Sequence, residues 1–223
     1  MICNSVMDLT LYQWIHGIFT VIFVIISILI GLRILSKYFT AEGQKFSEYI
    51  PLGLTYILLS SAWWGPTFNF LVFVSTETPL NEIVFVILNN AFLPLAIVCW
   101  IYAYTSLQDI SRKKIIRIIY LVISVIWEIV FFILIFVSLD TLYTFEFTEA
   151  GIYYSKRTLS ALVFPIIALA TALLTGIHFG LSGLKSQDKT IKWKGIFLML
   201  AFILFVGVAL LDALLPREVL WLV

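Results

Sequence analysis

A single acidic residue, Glu128, lies in the middle of a long apolar segment that is otherwise uncharged along most of its length. Residues 115–139 read IIRIIYLVISVIWEIVFFILIFVSL, and as a helix they would extend over roughly 37 Å, against a bilayer core of about 30 Å. Glu128 would then lie near the midplane, where an ionised acid costs about 3 kcal/mol on insertion scales. A residue there suggests a proton relay, a cation ligand or a counter-ion.

The alternative for Glu128 is a structural role. A carboxyl group in a dry site favours its neutral form and can donate a hydrogen bond. Ser124 lies one turn away on the same helix face and could accept that bond. Because lipid cannot solvate the acid, we expect Glu128 to point into the bundle and to bond a polar group of another helix.

A second set of polar and aromatic side chains is predicted at similar depth, toward one side of the membrane. Its members are His16, Trp63, Trp64, Asn69, Asn89, Asn90 and Asp212. Pro66 and Pro94 each remove a backbone hydrogen bond, which frees carbonyls near Ala62 and Asn90. Aromatic rings, amides and one acid are what an outward-facing ligand pocket needs. Aromatic belts combined with amide bonds between helices would explain the same residues without a ligand, so both interpretations stay open.

Small residues recur at steps of four in a later apolar segment. The ladder consists of Ala168, Ala172, Gly176 and Gly180, and it ends in the sequence GIHFG. Small side chains let membrane helices approach closely, and packing drives helix association in lipid. The ladder therefore predicts a close helix contact, either within the chain or with a second copy in a homo-oligomer.

Several chemistries have no support in the residues. The two histidines are far apart in the sequence, so no zinc site is expected, and the chain has no HExxH, GxSxG or P-loop motif. Every lysine is predicted in a loop or flank, which leaves no Schiff-base site for retinal. We expect no catalytic set, no metal and no cofactor. The net charge of +1 gives no basis for nucleic-acid binding.

The elements that must position these residues are membrane helices. The chain is 62% apolar and 12% charged, whereas soluble domains are about 25% charged. The apolar residues form long runs, which predict one all-α, polytopic transmembrane helical bundle in a lipid bilayer. The six predicted spans are 11–35, 50–74, 83–106, 115–139, 158–183 and 195–215, with 140–157 as the longest connection.

The basic residues predict the orientation of the bundle. Eleven of the 14 Lys and Arg residues fall on one set of loops and flanks: Arg33, Lys37, Lys45, Arg112, Lys113, Lys114, Arg117, Lys185, Lys189, Lys192 and Lys194. Basic loops face the cytoplasm. We therefore expect a multi-pass protein of the cell membrane with an extracellular N-terminus.

The last residues turn apolar again. Val219 to Val223 read VLWLV, which indicates either the beginning of a seventh span that is cut short or an interfacial hook with Trp221 at headgroup level.

Three longer runs carry a resemblance to known sequences. They are LYQWIHGIFTVIFVIISILIGLRILSKY, WEIVFF around Glu128, and KWKGIFLMLAFILF followed by LLDALL. In these runs the chain resembles a group of uncharacterised seven-helix integral membrane proteins of Asgard archaea, and the likeness covers most of the chain. The group has no assigned activity. The resemblance therefore implies a fold and a seventh helix after Val223, and it implies no chemistry.

Two functions remain as hypotheses. The first is a sensor or receptor-like bundle that binds a small molecule, which fits the short loops and the predicted outer pocket. The alternative is a small transporter or channel subunit in which Glu128 binds a proton or couples to an ion. Against the alternative, the sequence shows no inverted repeat. An enzyme that modifies lipids would need a clustered catalytic set, which the sequence does not show.

Overall fold

The computed structural model describes residues 9–40, 47–108 and 110–214. It is 81% helical, so the prediction of an all-α bundle is confirmed. The helices are α1 (Leu11–Thr40), α2 (Tyr49–Leu59), α3 (Trp64–Thr76), α4 (Glu82–Asn90), α5 (Leu93–Leu107), α6 (Lys113–Val137), α7 (Leu159–Leu184) and α8 (Lys189–Leu214). The tail with Val219 to Val223 lies outside the described residues.

Five helical segments among the described residues are long and apolar enough to cross a membrane. They are Leu11–Thr40, Tyr49–Thr76, Glu82–Leu107, Lys113–Val137 and Leu159–Leu184. The sixth predicted span corresponds to α8, whose described apolar stretch, Gly195–Leu210, is shorter. The segments indicate a protein embedded in a lipid bilayer.

Two of these segments are broken in the middle. The second span changes from α2 to a short 3-10 helix, Ser60–Trp63, before α3 begins. The sequence predicts a freed carbonyl near Ala62, and Ala62 lies within this 3-10 helix. Pro66 lies in the first turn of α3, where a proline ring is tolerated. The irregular backbone comes just before it, because proline has no N–H to bond the carbonyl one turn earlier. The third span is broken at Ala91 and Phe92, just before Pro94 in the first turn of α5.

The connection after α6 contains a β-hairpin that the sequence reasoning did not predict. A short 3-10 helix, Leu139–Thr141, leads into β1 (Tyr143–Phe147), which pairs antiparallel with β2 (Tyr153–Arg157). The register places Tyr143 opposite Arg157. Gly151 takes the positive φ of 89° that the turn requires. We call the side of the bundle that carries this hairpin the hairpin end.

The described residues divide into two compact units, one up to Ala161 and the other from Leu162 onward. In the first unit α1 packs on α2 and α3, α2 packs on α5, α3 on α4, and α5 on α6. Its core at the hairpin end consists of Phe85, Val86, Phe131, Ile135, Leu142, Tyr143, Tyr153 and Ala161. The hairpin is therefore part of the core.

Close helix contacts in the first unit depend on glycines. A Cβ on Gly31 would lie 2.7 Å from the Gly53 carbonyl, and a Cβ on Gly53 would lie 2.8 Å from the Gly31 carbonyl. The two backbones of α1 and α2 thus touch where neither residue has a side chain.

The second unit is an antiparallel pair of helices, formed by α7 from residue 162 onward and by α8. Gly180 and Gly195 face each other: a Cβ on Gly180 would lie 3.0 Å from the Gly195 carbonyl, and one on Gly195 would lie 2.9 Å from the Gly180 carbonyl. This contact positions the rest of the pair.

Candidate functional site

The breaks in the second and third spans lie side by side in the first unit. Trp64, at the start of α3, packs on Phe92, in the break between α4 and α5, with ring centroids 5.1 Å apart. Gly65 allows this approach, because a Cβ there would lie 3.0 Å from the Phe85 carbonyl and 3.1 Å from the Asn89 Cβ. Two irregular stretches of backbone are thereby brought together.

A side-chain amide replaces the backbone bond that Pro66 removes. In an α-helix the N–H of residue 66 would bond the carbonyl of residue 62, and proline has no N–H. The Asn89 amide nitrogen donates to that Ala62 carbonyl when the amide is oriented as its hydrogen bonding requires. A buried carbonyl without a partner is costly, so Asn89 both satisfies the break and joins α4 to it.

The same amide continues into a buried cluster. In this orientation the Asn89 side-chain oxygen accepts from the Tyr143 hydroxyl at 3.1 Å and from an Arg157 Nη at 2.9 Å. The Tyr143 oxygen in turn accepts from Asn90 Nδ2 at 2.8 Å and from Arg157 Nε at 2.9 Å. Asn90 Nδ2 also donates to the Val86 carbonyl at 2.9 Å. We call Asn89, Asn90, Tyr143 and Arg157 the amide–tyrosine cluster.

The burial of the cluster defines its physical character. The Tyr143 side chain is 0% exposed, and Asn89 and Asn90 are 4% and 5% exposed. Arg157 is half-buried. In such surroundings each hydrogen bond is strong, and each one lost is costly. The cluster therefore fixes the hairpin on the two broken helices.

A second polar connection holds the hairpin on the other side. Asn69 Nδ2 donates to the Tyr153 carbonyl at 3.4 Å, and Asn69 Oδ1 accepts from the Leu80 N–H at 2.9 Å. The Tyr153 hydroxyl donates to the Leu80 carbonyl at 2.7 Å. Burial, and then the nearby Glu82 carboxylate, raise the pKa of Tyr153 well above its usual value.

Two hydroxyl groups beside these contacts are buried without a hydrogen-bond partner. Ser61 Oγ lies in the 3-10 break next to Ala62, and its residue is 0% exposed; Thr67 Oγ1 lies on α3, and its residue is 4% exposed. Such groups are rare in folded proteins and call for an explanation. Among the described residues no three His, Cys, Asp or Glu side chains are grouped to hold a metal ion. The donor set fits recognition by hydrogen bonds.

The predicted outer set divides into two groups. Asn89 and Asn90 lie in the cluster, and Asn69 anchors the hairpin next to it. Trp64 donates from Nε1 to Ser60 Oγ at 3.0 Å. Trp63 packs on Phe23 of α1, with ring centroids 4.7 Å apart, and His16 stacks on Tyr12 of the same helix. The side chain of Asp212 lies outside the described residues.

Sequence reasoning missed Tyr143 and Arg157. Both lie on the predicted connection, and no local motif points to them. The alternation in YTFEF and YYSKR is the one signal that could have indicated paired strands. The cross-strand register then brings the tyrosine and the arginine together.

Glu128 lies on α6 and is half-buried. Its Oε2 atom is buried without a hydrogen-bond partner. Ser124, the expected partner, instead donates from Oγ to the Pro94 carbonyl of α5 at 3.3 Å. The predicted bond from Glu128 to a polar group of another helix is not seen for this oxygen.

The small-residue ladder faces a helix of the same chain. Gly176 faces the ring of Phe202, and Gly180 faces Met199 and the Gly195 carbonyl, all on α8. Ala168 and Ala172 are buried on α7. The two glycines therefore give no evidence for a second copy of the chain.

Comparison with known proteins adds no relative to this geometry, because no family model, curated protein or solved structure matches the chain.

Proposed function

We propose that this protein is a receptor-like membrane bundle that binds a small polar molecule where its two broken helices meet, beneath the β-hairpin. The observation that carries the proposal is the pairing of the breaks around the amide–tyrosine cluster. Irregular backbone at membrane depth is tolerated where it is buried in protein or lines a cavity. Broken helices with paired interruptions are a recurrent way of building ligand sites in membranes.

The groups at this place define the chemistry of the ligand. Amides, a phenol and a guanidinium offer hydrogen-bond donors and acceptors, and Arg157 adds positive charge. Ser61 Oγ, buried next to the break, is one more group that a ligand could satisfy. A small molecule with several acceptor atoms, such as an organic acid, fits this set.

The orientation of the protein is part of the proposal. The excess of basic residues on one set of loops supports a cytoplasmic location for those loops and an extracellular N-terminus. The hairpin end then faces outward. A ligand would reach the cluster from the extracellular side, along the half-buried Arg157.

The experiment is a thermal-shift screen of the purified protein in detergent against a panel of organic acids, amino acids, sugars and nucleosides. A ligand at a concentration of 100 Kd stabilises the folded state by about 2.7 kcal/mol. We expect at least one compound to raise the Tm of the wild type and of Lys156→Gln, which is exposed on β2, and to leave Arg157→Gln unchanged. If no shift depends on Arg157, the proposal fails.

A second candidate is a small transporter or channel subunit that uses the mid-membrane acid. Two observations favour it: the paired breaks, which transporters also show, and Glu128, whose buried carboxyl oxygen has no partner. Uptake of the same panel into proteoliposomes separates the two candidates. A receptor binds without net uptake, whereas a transporter accumulates a compound.

A further inference from the structure

Glu128 lies on the buried face of α6. Ser124, Phe131 and Ile135 are the buried residues of this helix, and Glu128 falls on the same face, between Ser124 and Phe131. Most other side chains of α6 are exposed. The acid is therefore placed on the face that packs against the rest of the first unit.

The contacts on either side fix the level of Glu128 along the bundle. Ser124 bonds the Pro94 carbonyl, and α5 and α6 run antiparallel. One helical turn beyond Ser124, about 6 Å, brings Glu128 beside the residues that come just before Pro94. These are Ala91 and Phe92, where α4 breaks from α5. One turn further, Phe131 belongs to the core that contains Val86 and Tyr143.

One oxygen of the carboxyl group at this level lacks the bond that a structural acid would make. Glu128 Oε2 is buried and has no hydrogen-bond partner, and leaving such a group without a bond is costly. Pro94 has no N–H to offer the Asn90 carbonyl, so the break beside Glu128 has acceptor capacity of its own. A neutral acid kept for stability alone would be expected to use it.

We propose that Glu128 is a proton-binding site at the depth of the helix break, and that its proton exchanges with water. A proton needs one oxygen atom, whereas a hard metal cation needs about six oxygen ligands. Among the described residues, Glu128 does not belong to a group of three or more His, Cys, Asp or Glu side chains that could hold a metal ion. The single carboxyl therefore fits a proton.

The charges around Glu128 support a proton as its neutralising partner. On α5, which packs along α6, the titratable side chains are Cys99, Tyr102 and Tyr104, and the helix has no Lys, Arg, His, Asp or Glu.

The other charged and titratable groups lie further along the same contacts. On α6 itself Arg117 bonds Thr105 at 2.9 Å toward the far end of the helix. The 3-10 helix after α6 carries Asp140. The strands of the hairpin carry Tyr143, Glu146, Tyr153, Tyr154, Lys156 and Arg157, of which Arg157 is bonded to Tyr143. None of these groups forms a hydrogen bond with Glu128 Oε2.

This inference does not depend on a ligand at the amide–tyrosine cluster. It concerns a different group on a different helix, and a receptor or a transporter could use it. If the protein is a transporter, the coupling ion would be a proton.

The test uses dicyclohexylcarbodiimide, a lipophilic reagent that reacts with protonated carboxyl groups in apolar surroundings. The full chain in lipid vesicles is treated across a range of pH, and mass spectrometry locates the adduct. We expect the yield of adduct on Glu128 to be lower in samples treated at higher pH, and a sample taken to high pH and returned to low pH before the reagent is added to react as fully as one kept at low pH. Asp140→Asn should leave this profile unchanged, and Glu128→Gln should abolish the adduct.

Two results would overturn the proposal. One is the absence of an adduct on Glu128 at every pH, and the other is an adduct whose yield does not change with pH, which indicates a permanently neutral structural acid. The wild-type profile decides between these outcomes even if Glu128→Gln fails to fold. The ligand screen on Arg157→Gln is unaffected by either result, so the two proposals fail separately.

Discussion

With its amide oriented as the surrounding donors and acceptors require, Asn89 donates from its nitrogen to the carbonyl oxygen of Ala62, the carbonyl that Pro66 leaves without its backbone partner. A break in one helix is thus completed by a side chain from the neighbouring broken helix. The same Asn89 side chain accepts from Tyr143 and Arg157 of the hairpin. Two helix breaks and the β-hairpin are joined through one residue.

Removing the Tyr143 hydroxyl should release the hairpin. Tyr143→Phe leaves the Arg157 Nε and the Asn90 amide without their shared acceptor, in a site that is 0% exposed at the tyrosine. We expect a loss of about 1–3 kcal/mol and faster hydrogen exchange over residues 143–157, measured by mass spectrometry. Thr144→Val, at an exposed position of the same strand, is the control. Equal exchange in both variants would contradict the role of the hydroxyl.

The α7–α8 contact should not tolerate side chains at its glycines. Gly176→Leu and Gly180→Leu force a branched side chain into Phe202 or Met199, and overpacking costs about 1–3 kcal/mol or more. Gly207→Leu is a matched control, because a Cβ at Gly207 meets nothing within 4 Å. We expect a lower midpoint of thermal unfolding in detergent for the first two variants. A similar midpoint for all three would show that the ladder is not a packing surface.

A guanidinium clamp between α5 and α6 should contribute to stability. Arg117 Nε donates to Thr105 Oγ1 at 2.9 Å, and the guanidinium lies 3.8 Å from the centroid of the Tyr102 ring. Lysine cannot reproduce the planar stacking and the fork of donors. Arg117→Lys should therefore cost about 0.5–2 kcal/mol, measured as resistance to unfolding in sodium dodecyl sulfate. Arg112→Lys, in the preceding loop, should cost less, and an equal cost would exclude the clamp.

Alkaline pH should weaken the hairpin contact at Tyr153. Burial and the Glu82 carboxylate raise the pKa of this phenol above its ordinary value of 10.0. The folded protein then holds the proton more tightly than the unfolded chain, so the stabilisation is complete below about pH 10 and falls as pH rises further. The free energy of unfolding should decline more steeply above about pH 10 in the wild type than in Tyr153→Phe. Parallel declines would show that Tyr153 is not the group concerned.

The sequence predicts the membrane helices well because a long apolar run has few stable structures other than a membrane-spanning helix. It also predicts the carbonyl freed by Pro66 and the amides Asn89 and Asn90, since both follow from local chemistry. It does not predict Tyr143 and Arg157 as their partners. Those contacts depend on the register of the hairpin, and Tyr143 is more than 50 positions from Asn90 in the sequence. No local sequence pattern encodes a contact over such a separation.

Glu128 shows the opposite difficulty. Its place on the buried face of α6 follows from helical periodicity. Its expected bond is not made by Oε2, and the Ser124 hydroxyl donates instead to the Pro94 carbonyl of α5. Local spacing shows which groups can meet, but the contacts with a neighbouring helix, which the spacing does not contain, show which of them do.

The most direct test of the account is a double-mutant cycle between Asn89 and Pro66. Pro66→Ala restores the N–H that bonds the Ala62 carbonyl, so the amide of Asn89 is no longer the partner that carbonyl needs. We predict that Asn89→Ala destabilises the wild type by about 1–3 kcal/mol and costs clearly less in the Pro66→Ala background, as measured by unfolding in sodium dodecyl sulfate. A coupling energy of at least about 0.5 kcal/mol supports the joined breaks, whereas additive effects of the two substitutions would contradict them.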